Sequence, residues 1–406
     1  MRMKPVSKAL TMATALAFQL IMLGCGSGSS PLSGGQQGCT NNCPPNNFLF
    51  AAGRDQIMSF KINSTTGALG PATITAGPNQ SLGIFSTPTT GFLYVSDFQN
   101  DTVWAFTINP STGALTAVSG SPFLLGGTPP GAGGFAWDLN GGYLYATDVN
   151  ANAVAAFAIL GSDHPNPGAL QSISGSPYSV STNPMQATVA NNGLGTSQFL
   201  YVSNLNDSAG GISAFAIDPN TGALTVVPSS PFPTGTAGSL PGPSALVAVQ
   251  GTGTSEFVYV ALAGTVNANN KIVGFASDRN TGILTPIGGS PFTTGKNPSH
   301  MVLDPTGKFL YVANVMDDTI SGFIVDGDTG ALAPMPDSPF VVGSSVGGMA
   351  ARDRFLYVAD PQGNTIKAFT IDNTSTTSTG TLTPFSTPAF AAGAQPMLLT
   401  IAQTSP

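Results

Sequence analysis

From residue 48 onward the chain alternates short apolar runs with clusters of turn-forming residues. Runs of four to seven aromatic, β-branched and small residues are bounded by Gly, Asn, Asp and Pro, and none carries a 3.6-residue apolar period. The pattern predicts strands and no helix. Phe92-Leu93-Tyr94-Val95-Ser96-Asp97 leads into Thr102–Ile108, then the turn Thr112-Gly113-Ala114-Leu115, then a close at Gly120-Ser121-Pro122-Phe123. The same order recurs along the whole chain.

Its Phe or Tyr strand centres on Phe50, Tyr94, Tyr145, Tyr201, Tyr259, Tyr311 and Tyr357, at spacings of 44 to 58 residues. The next strand always holds a small residue before a Phe, as at Ala105-Phe106 and Gly274-Phe275. A further apolar run, such as His300–Leu303, precedes each Tyr strand. Each unit therefore has four strands, the composition of a propeller blade. A lone four-stranded sheet leaves two apolar faces wet, so the seven units are expected to stack around an axis. The small residue is expected to let the neighbouring blade approach.

The first unit starts at its second strand, whereas Gln395–Ile401 supplies a first strand with no unit after it. The expected fold is an all-β, seven-bladed β-propeller over residues 48–402, closed by the C-terminal strand joining the N-terminal blade. Closure removes the sheet edge that would otherwise invite aggregation.

Residues 1–24 read differently. Arg2, Lys4 and Lys8 precede an uncharged stretch from Ala9 to Leu23, the size of a signal-peptide core. It ends in Met22-Leu23-Gly24-Cys25, which resembles a bacterial lipobox with Cys25 as the acylated residue. Residues 25–47 read as a flexible tether. Export leaves Cys39 and Cys43 either as a disulfide pair or as two free thiols. The expected address is the bacterial cell envelope, through a lipid anchor in the outer membrane, with the body periplasmic or surface-facing.

Charge narrows the partners. The full chain carries 12 basic and 19 acidic residues, and only 8% of positions are charged. Losing three cations with the signal deepens the net negative charge, which excludes nucleic acid and a basic membrane-binding patch. The expected partner is a small molecule (a sugar or lactone) or an envelope protein, met by a monomer.

Tyr201-Val202-Ser203-Asn204, and Tyr311-Val312-Ala313-Asn314 after Asp304-Pro305-Thr306-Gly307-Lys308, resemble the YVTN-type propellers of the lactonase family, which includes 6-phosphogluconolactonase-like enzymes. The resemblance covers residues 48–402. It implies lactone opening by an inner-strand His with nearby cations, and His300 matches in Asn297-Pro298-Ser299-His300. Arg54, in the loop after a second strand, is the remaining cation for such a role.

The wider cluster is absent: beyond the signal the chain has a single Glu, two His and four Arg. That shortage favours a binding or interaction module, with lactone hydrolysis as the alternative and no cofactor. Asp97, Asp101, Asp148, Asn204, Asp207, Asn314, Asp317, Asp318 and Asp360 fall in loops of one rim, either as turn residues or as an acidic mouth for sugars, cations or a basic partner. The irregular loop Ala263–Asn270 lies on the same rim. Gly343-Ser344-Ser345-Val346-Gly347 matches a nucleophile-elbow pattern but has no helix after it. The Asp pairs 317–318 and 326–328 are too short for a calcium loop, so no metal site is expected.

Overall fold

A computed structural model describes residues 45–404, apart from 88–90, 192–197, 206–210, 236–241, 254, 264–269, 374–378 and 387–388. Cys25, Cys39, Cys43, Asp207 and the middle of the Ala263–Asn270 loop lie outside the described residues. The described chain is a ring of seven four-stranded antiparallel blades with no helix.

The inner strands are Leu398–Thr404, Ile84–Ser86, Ala132–Trp137, Pro184–Asn191, Gly242–Gln250, Pro298–Leu303 and Met349–Arg352. We number blades 1 to 7 in that order. Each inner strand touches the next, and the seventh touches the first, so the ring is closed around a central channel.

Blade 1 joins the two ends of the chain. Asn46–Gly53 pairs on one side with Gln56–Ile62 and on the other with Leu398–Thr404, with Ala52 opposite Leu398 and Asn46 opposite Thr404. The sheet starts two residues before the expected boundary and runs two beyond it, because the backbones of Asn46 and Asn47 continue the ladder to Thr404 and Gln403.

Second strands such as Phe355–Asp360 are buried at every position. A sheet covered on both faces needs a continuous apolar run rather than alternation, and the neighbouring blades supply that cover. The buried apolar side chains form seven clusters, one at each seam between consecutive blades.

One joint recurs at the seams. The Tyr94 hydroxyl donates to the Gly168 carbonyl of the next blade, Tyr259 to Gly330, and Tyr357 to Gly67 across the ring closure, at 2.9, 2.7 and 2.7 Å. An aromatic at or near the start of the second strand packs against the same glycine: Phe92 on Gly168, Phe257 on Gly330, Phe355 on Gly67. These glycines have φ near +70 to +80°, a conformation that glycine adopts without strain.

The outer strand of blades 2 to 7 is broken in two. In blade 2, Leu115–Ala117 and Phe123–Leu124 both pair with Thr102–Ile108, and the Ser121 hydroxyl fills the gap by accepting the Ala105 N–H at 2.9 Å. The alanines before the Phe, such as Ala105 and Ala214, lie in the seam clusters with the next blade. At Gly274 and Gly322 the missing side chain also leaves room for Ile287 and for Met335 and Phe340 of the same blade.

Candidate functional site

The inner strands of blades 3 to 6 each begin with a β-bulge near the rim that carries the inter-blade loops. In blade 6 the bulge falls between Pro298 and His300, with His300 opposite Ala313. Bulges re-aim side chains, and here His300 sits half-buried on the channel wall just below the rim. Its Nδ1 is 2.9 Å from the Ser299 hydroxyl. Burial pushes the imidazole pKa down to about 4, so the ring is neutral at pH 7.

By register, the positions equivalent to His300 in the other blades are Gly83, Gly134, Gln186, Ala245, Gly348 and Leu398. Four of these six carry no side chain beyond a methyl, so backbone lines most of the mouth around His300. Gln186 is the second polar side chain at this level. Its amide passes over Gly134, where a Cβ would collide with it, and donates to the Leu82 carbonyl of blade 2 at 2.9 Å. Sequence reasoning missed Gln186, although Asn183-Pro184-Met185-Gln186 repeats the Asn297-Pro298-Ser299-His300 pattern.

Arg54 does not join His300. It is exposed at the tip of the first hairpin of blade 1, with blade 7 between it and blade 6, and no hydrogen bond or ion pair links the two. Among the other cations, Lys296 lies in the inter-blade loop four residues before His300 and pairs with Asp317. Lys61, Lys296, Lys308 and Arg354 are exposed, and Arg352 ends its inner strand at the opposite face. His164 is exposed in its turn, accepting the Asn166 N–H.

The rim carboxylates and amides differ from an open acidic mouth. Asp97, Asp101, Asp148, Asn204, Asn314 and Asp360 are buried, while Asp317 is exposed and Asp318 half-buried. The reason lies in the register: the last residue of each second strand faces the third strand of its own blade. Asp97 accepts from the Asn100 amide and Trp104 Nε1 at 2.8 and 3.3 Å, and Asn204 and Asn314 donate to Ser213 and Ser321, both at 2.9 Å. Asp317 pairs loosely with Lys296 at 3.6 Å.

Asp360 meets Lys367 Nζ at 2.8 Å and also accepts from Ser344, Ser345 and the Gly363 N–H. Burial alone would raise its pKa, but these donors together outweigh it and hold the carboxyl near 2. The two serines of the Gly343–Gly347 pattern are thus donors to a buried carboxylate, with no nucleophile geometry around them.

Asp101 and Asp148 have no such cation. Burial, then the charge of Asp148, raises the Asp101 pKa to about 6 against a lowering bond from the Gly127 N–H. Burial likewise raises Asp148, opposed by the N–H groups of Ala151 and Asn150.

Comparison with known proteins places this geometry. The family described as lactonase, 7-bladed beta-propeller, matches residues 70–185 and 230–346, more than half of the chain. Among solved structures, a candidate 6-phosphogluconolactonase from Bacteroides fragilis superposes with a TM-score of 0.69 at 20% identity, covering 89% of this chain and 99% of its own. The periplasmic gluconolactonase of Pseudomonas aeruginosa gives 0.67 at 16% identity, with 88% and 99% covered. A Lactobacillus plantarum protein gives 0.66 at 18%, with 88% and 99% covered. At these identities the structural likeness shows the shared fold. A search of curated proteins gave no match. Taken with the seven closed blades, the family match shows that the chain belongs to the lactonase family of seven-bladed β-propellers.

Proposed function

We propose that this protein hydrolyses a neutral, unphosphorylated lactone at the His300 mouth of its channel. The observation that carries the reading is His300 itself: an imidazole held neutral on the channel wall, amid positions reduced to Gly or Ala. With Nδ1–H donated to Ser299, Nε2 has its lone pair free. It takes a proton from water as the hydroxide attacks the lactone carbonyl carbon. The ring C–O bond then breaks, and the proton goes to the leaving alkoxide to give a hydroxy acid. Gln186 is the neutral donor available to the lactone's oxygens. Family membership and the gluconolactonase names of similar structures support the reaction class.

The substrate's charge follows from where the cations are. Lys296, in the inter-blade loop four residues before His300, is the nearest cation along the chain and is paired with Asp317 at 3.6 Å, and the chain is net acidic. A phosphate ester would meet a net acidic rim whose nearby Lys296 is already paired with a carboxylate.

The test is ring opening of a sugar lactone by purified protein and by His300→Ala. Turnover above the spontaneous rate that falls at least about a hundredfold in the variant is expected for loss of a general base. Equal turnover in both would remove His300 from the mechanism. The base form exists above the His300 pKa, so the rate should be level from pH 5 to 8 and fall only as pH drops toward 4. A rise centred near pH 6.5 would mean a solvated histidine.

A second reading is a binding module without turnover, favoured by the lack of a cation beside His300 to stabilise an oxyanion. It predicts lactone affinity, lost in His300→Ala, with no hydrolysis. We further propose that Cys25 is acylated and anchors the protein to the envelope. Cys25→Ser should move it from the membrane fraction to the soluble fraction, and unchanged partition would reject the anchor.

A further inference from the structure

At the seam of blades 2 and 3, Asp101 and Asp148 face each other beneath the loop that joins the two blades. They are 1% and 2% exposed. Asp101 Oδ1 and Asp148 Oδ1 both lie within 2.7 Å of the point where a Gly131 Cβ would stand, so they are within about 5 Å of one another. A side chain at Gly127 would likewise collide with Asp148 Oδ2. The partners present are few: the Gly127 N–H reaches Asp101 Oδ2 at 3.1 Å, and the Ala151 N–H reaches Asp148 Oδ1 at 3.0 Å. Asp101 Oδ1 has no hydrogen-bond partner although it is fully buried.

The other blades show what this position takes when it is charged. Asp148 and Asp360 both end their second strands. In blade 7 Lys367, opposite Val358, turns its ammonium onto Asp360. The same register position in blade 3 is Ala155, opposite Ala146. At the Asp101 position, blades 3 and 7 carry Asn152 and Asn364, whose side-chain oxygens accept backbone N–H groups of the next loop. The pair recurs as Asp318 with Asp360, which has Lys367. It recurs also as Asp55 with Asp97, where Asp55 is exposed and Asp97 accepts from Asn100 and Trp104. At the seam of blades 2 and 3 both carboxylates are buried, with no side-chain cation among the described residues. Two buried carboxylates at this separation need a cation or a shared proton between them.

We propose that a hard divalent cation of the calcium type binds between Asp101 and Asp148 and ties blade 2 to blade 3. Carboxylate oxygens at a backbone-rich loop are the donors that such an ion prefers. The site lies in a seam rather than in the channel, so its role is to hold the ring together, and it does not depend on the lactone reading.

The test uses the full chain after chelation. Equilibrium dialysis against radioactive calcium should find one ion per chain, and millimolar calcium should raise the melting midpoint by several degrees, on the order of 5 °C. Asp148→Asn and Asp101→Asn should abolish both effects. Each variant places the residue that other blades carry at that position, so both should fold. No bound calcium in the wild-type chain, or equal uptake in both variants, would overturn the proposal. A wild type that takes up no ion while both variants melt higher would show that the pair shares a proton instead.

Discussion

Deleting residues 395–406 is expected to abolish the folded ring rather than merely weaken it. The deletion removes the inner strand of blade 1, which pairs with Asn46–Gly53 along its whole length. Leu398, Leu399 and Ala402 are buried in the seams on either side, and Ile401 packs against one of them. At about 1.5–3 kcal/mol for each large apolar side chain, the lost burial alone comes to roughly 5–10 kcal/mol. That is comparable with the whole net stability of an ordinary domain. The deletion also bares an inner edge on blade 1 and removes the contacts of blades 7 and 2 with the missing strand, so the damage spreads beyond one sheet. Thermal unfolding should lose its cooperative transition. A deletion chain that melts as the parent does would show that the C-terminal strand does not close the ring.

The second large effect is expected at the seam joint. Gly330→Ala places a Cβ at φ +72° and 2.5 Å from the Phe257 ring. The backbone conformation costs about 1–2 kcal/mol for an L-residue. Displacing Phe257, which is buried between blades 5 and 6, adds roughly 1–3 kcal/mol. The same movement pulls the Gly330 carbonyl from the Tyr259 hydroxyl, which leaves a buried donor unpaired. A total loss of about 2–5 kcal/mol should appear in urea or thermal unfolding. Gly161→Ala, where no atom stands within 4 Å and φ is not positive, should be close to neutral and serves as the control. Equal behaviour of the two variants would refute the joint.

The two expectations differ in how far the sequence revealed them. Closure was legible because the repeat is regular: a first unit lacking its first strand and a spare strand at the end leave one arrangement. The Gly-x-Leu turn was legible as a turn, but its joint to Tyr and Phe was not. That contact joins residues some 70 to 80 positions apart, as with Tyr259 and Gly330, and no local pattern encodes it. His300 stood out by residue type. Gln186 did not, because a carboxamide is unremarkable until the two Asn-Pro-x-x segments are overlaid.

The rim acids show the opposite limit. Their types and spacing read either as turn residues or as a mouth, and side-chain direction at the end of a second strand turns them into the blade. Whether such an acid is neutralised depends on one cross-strand residue, Lys367 for Asp360 and Ala155 for Asp148.

The most direct measurement of the central claim compares a sugar δ-lactone with its phosphate ester as substrates of the purified full chain. A neutral mouth with His300 as base predicts kcat/KM at least about tenfold higher for the uncharged lactone, a difference of roughly 1.4 kcal/mol. That advantage should disappear along with turnover in His300→Ala. A phosphorylated lactone opened faster than the neutral one, or turnover untouched by loss of His300, would contradict the account.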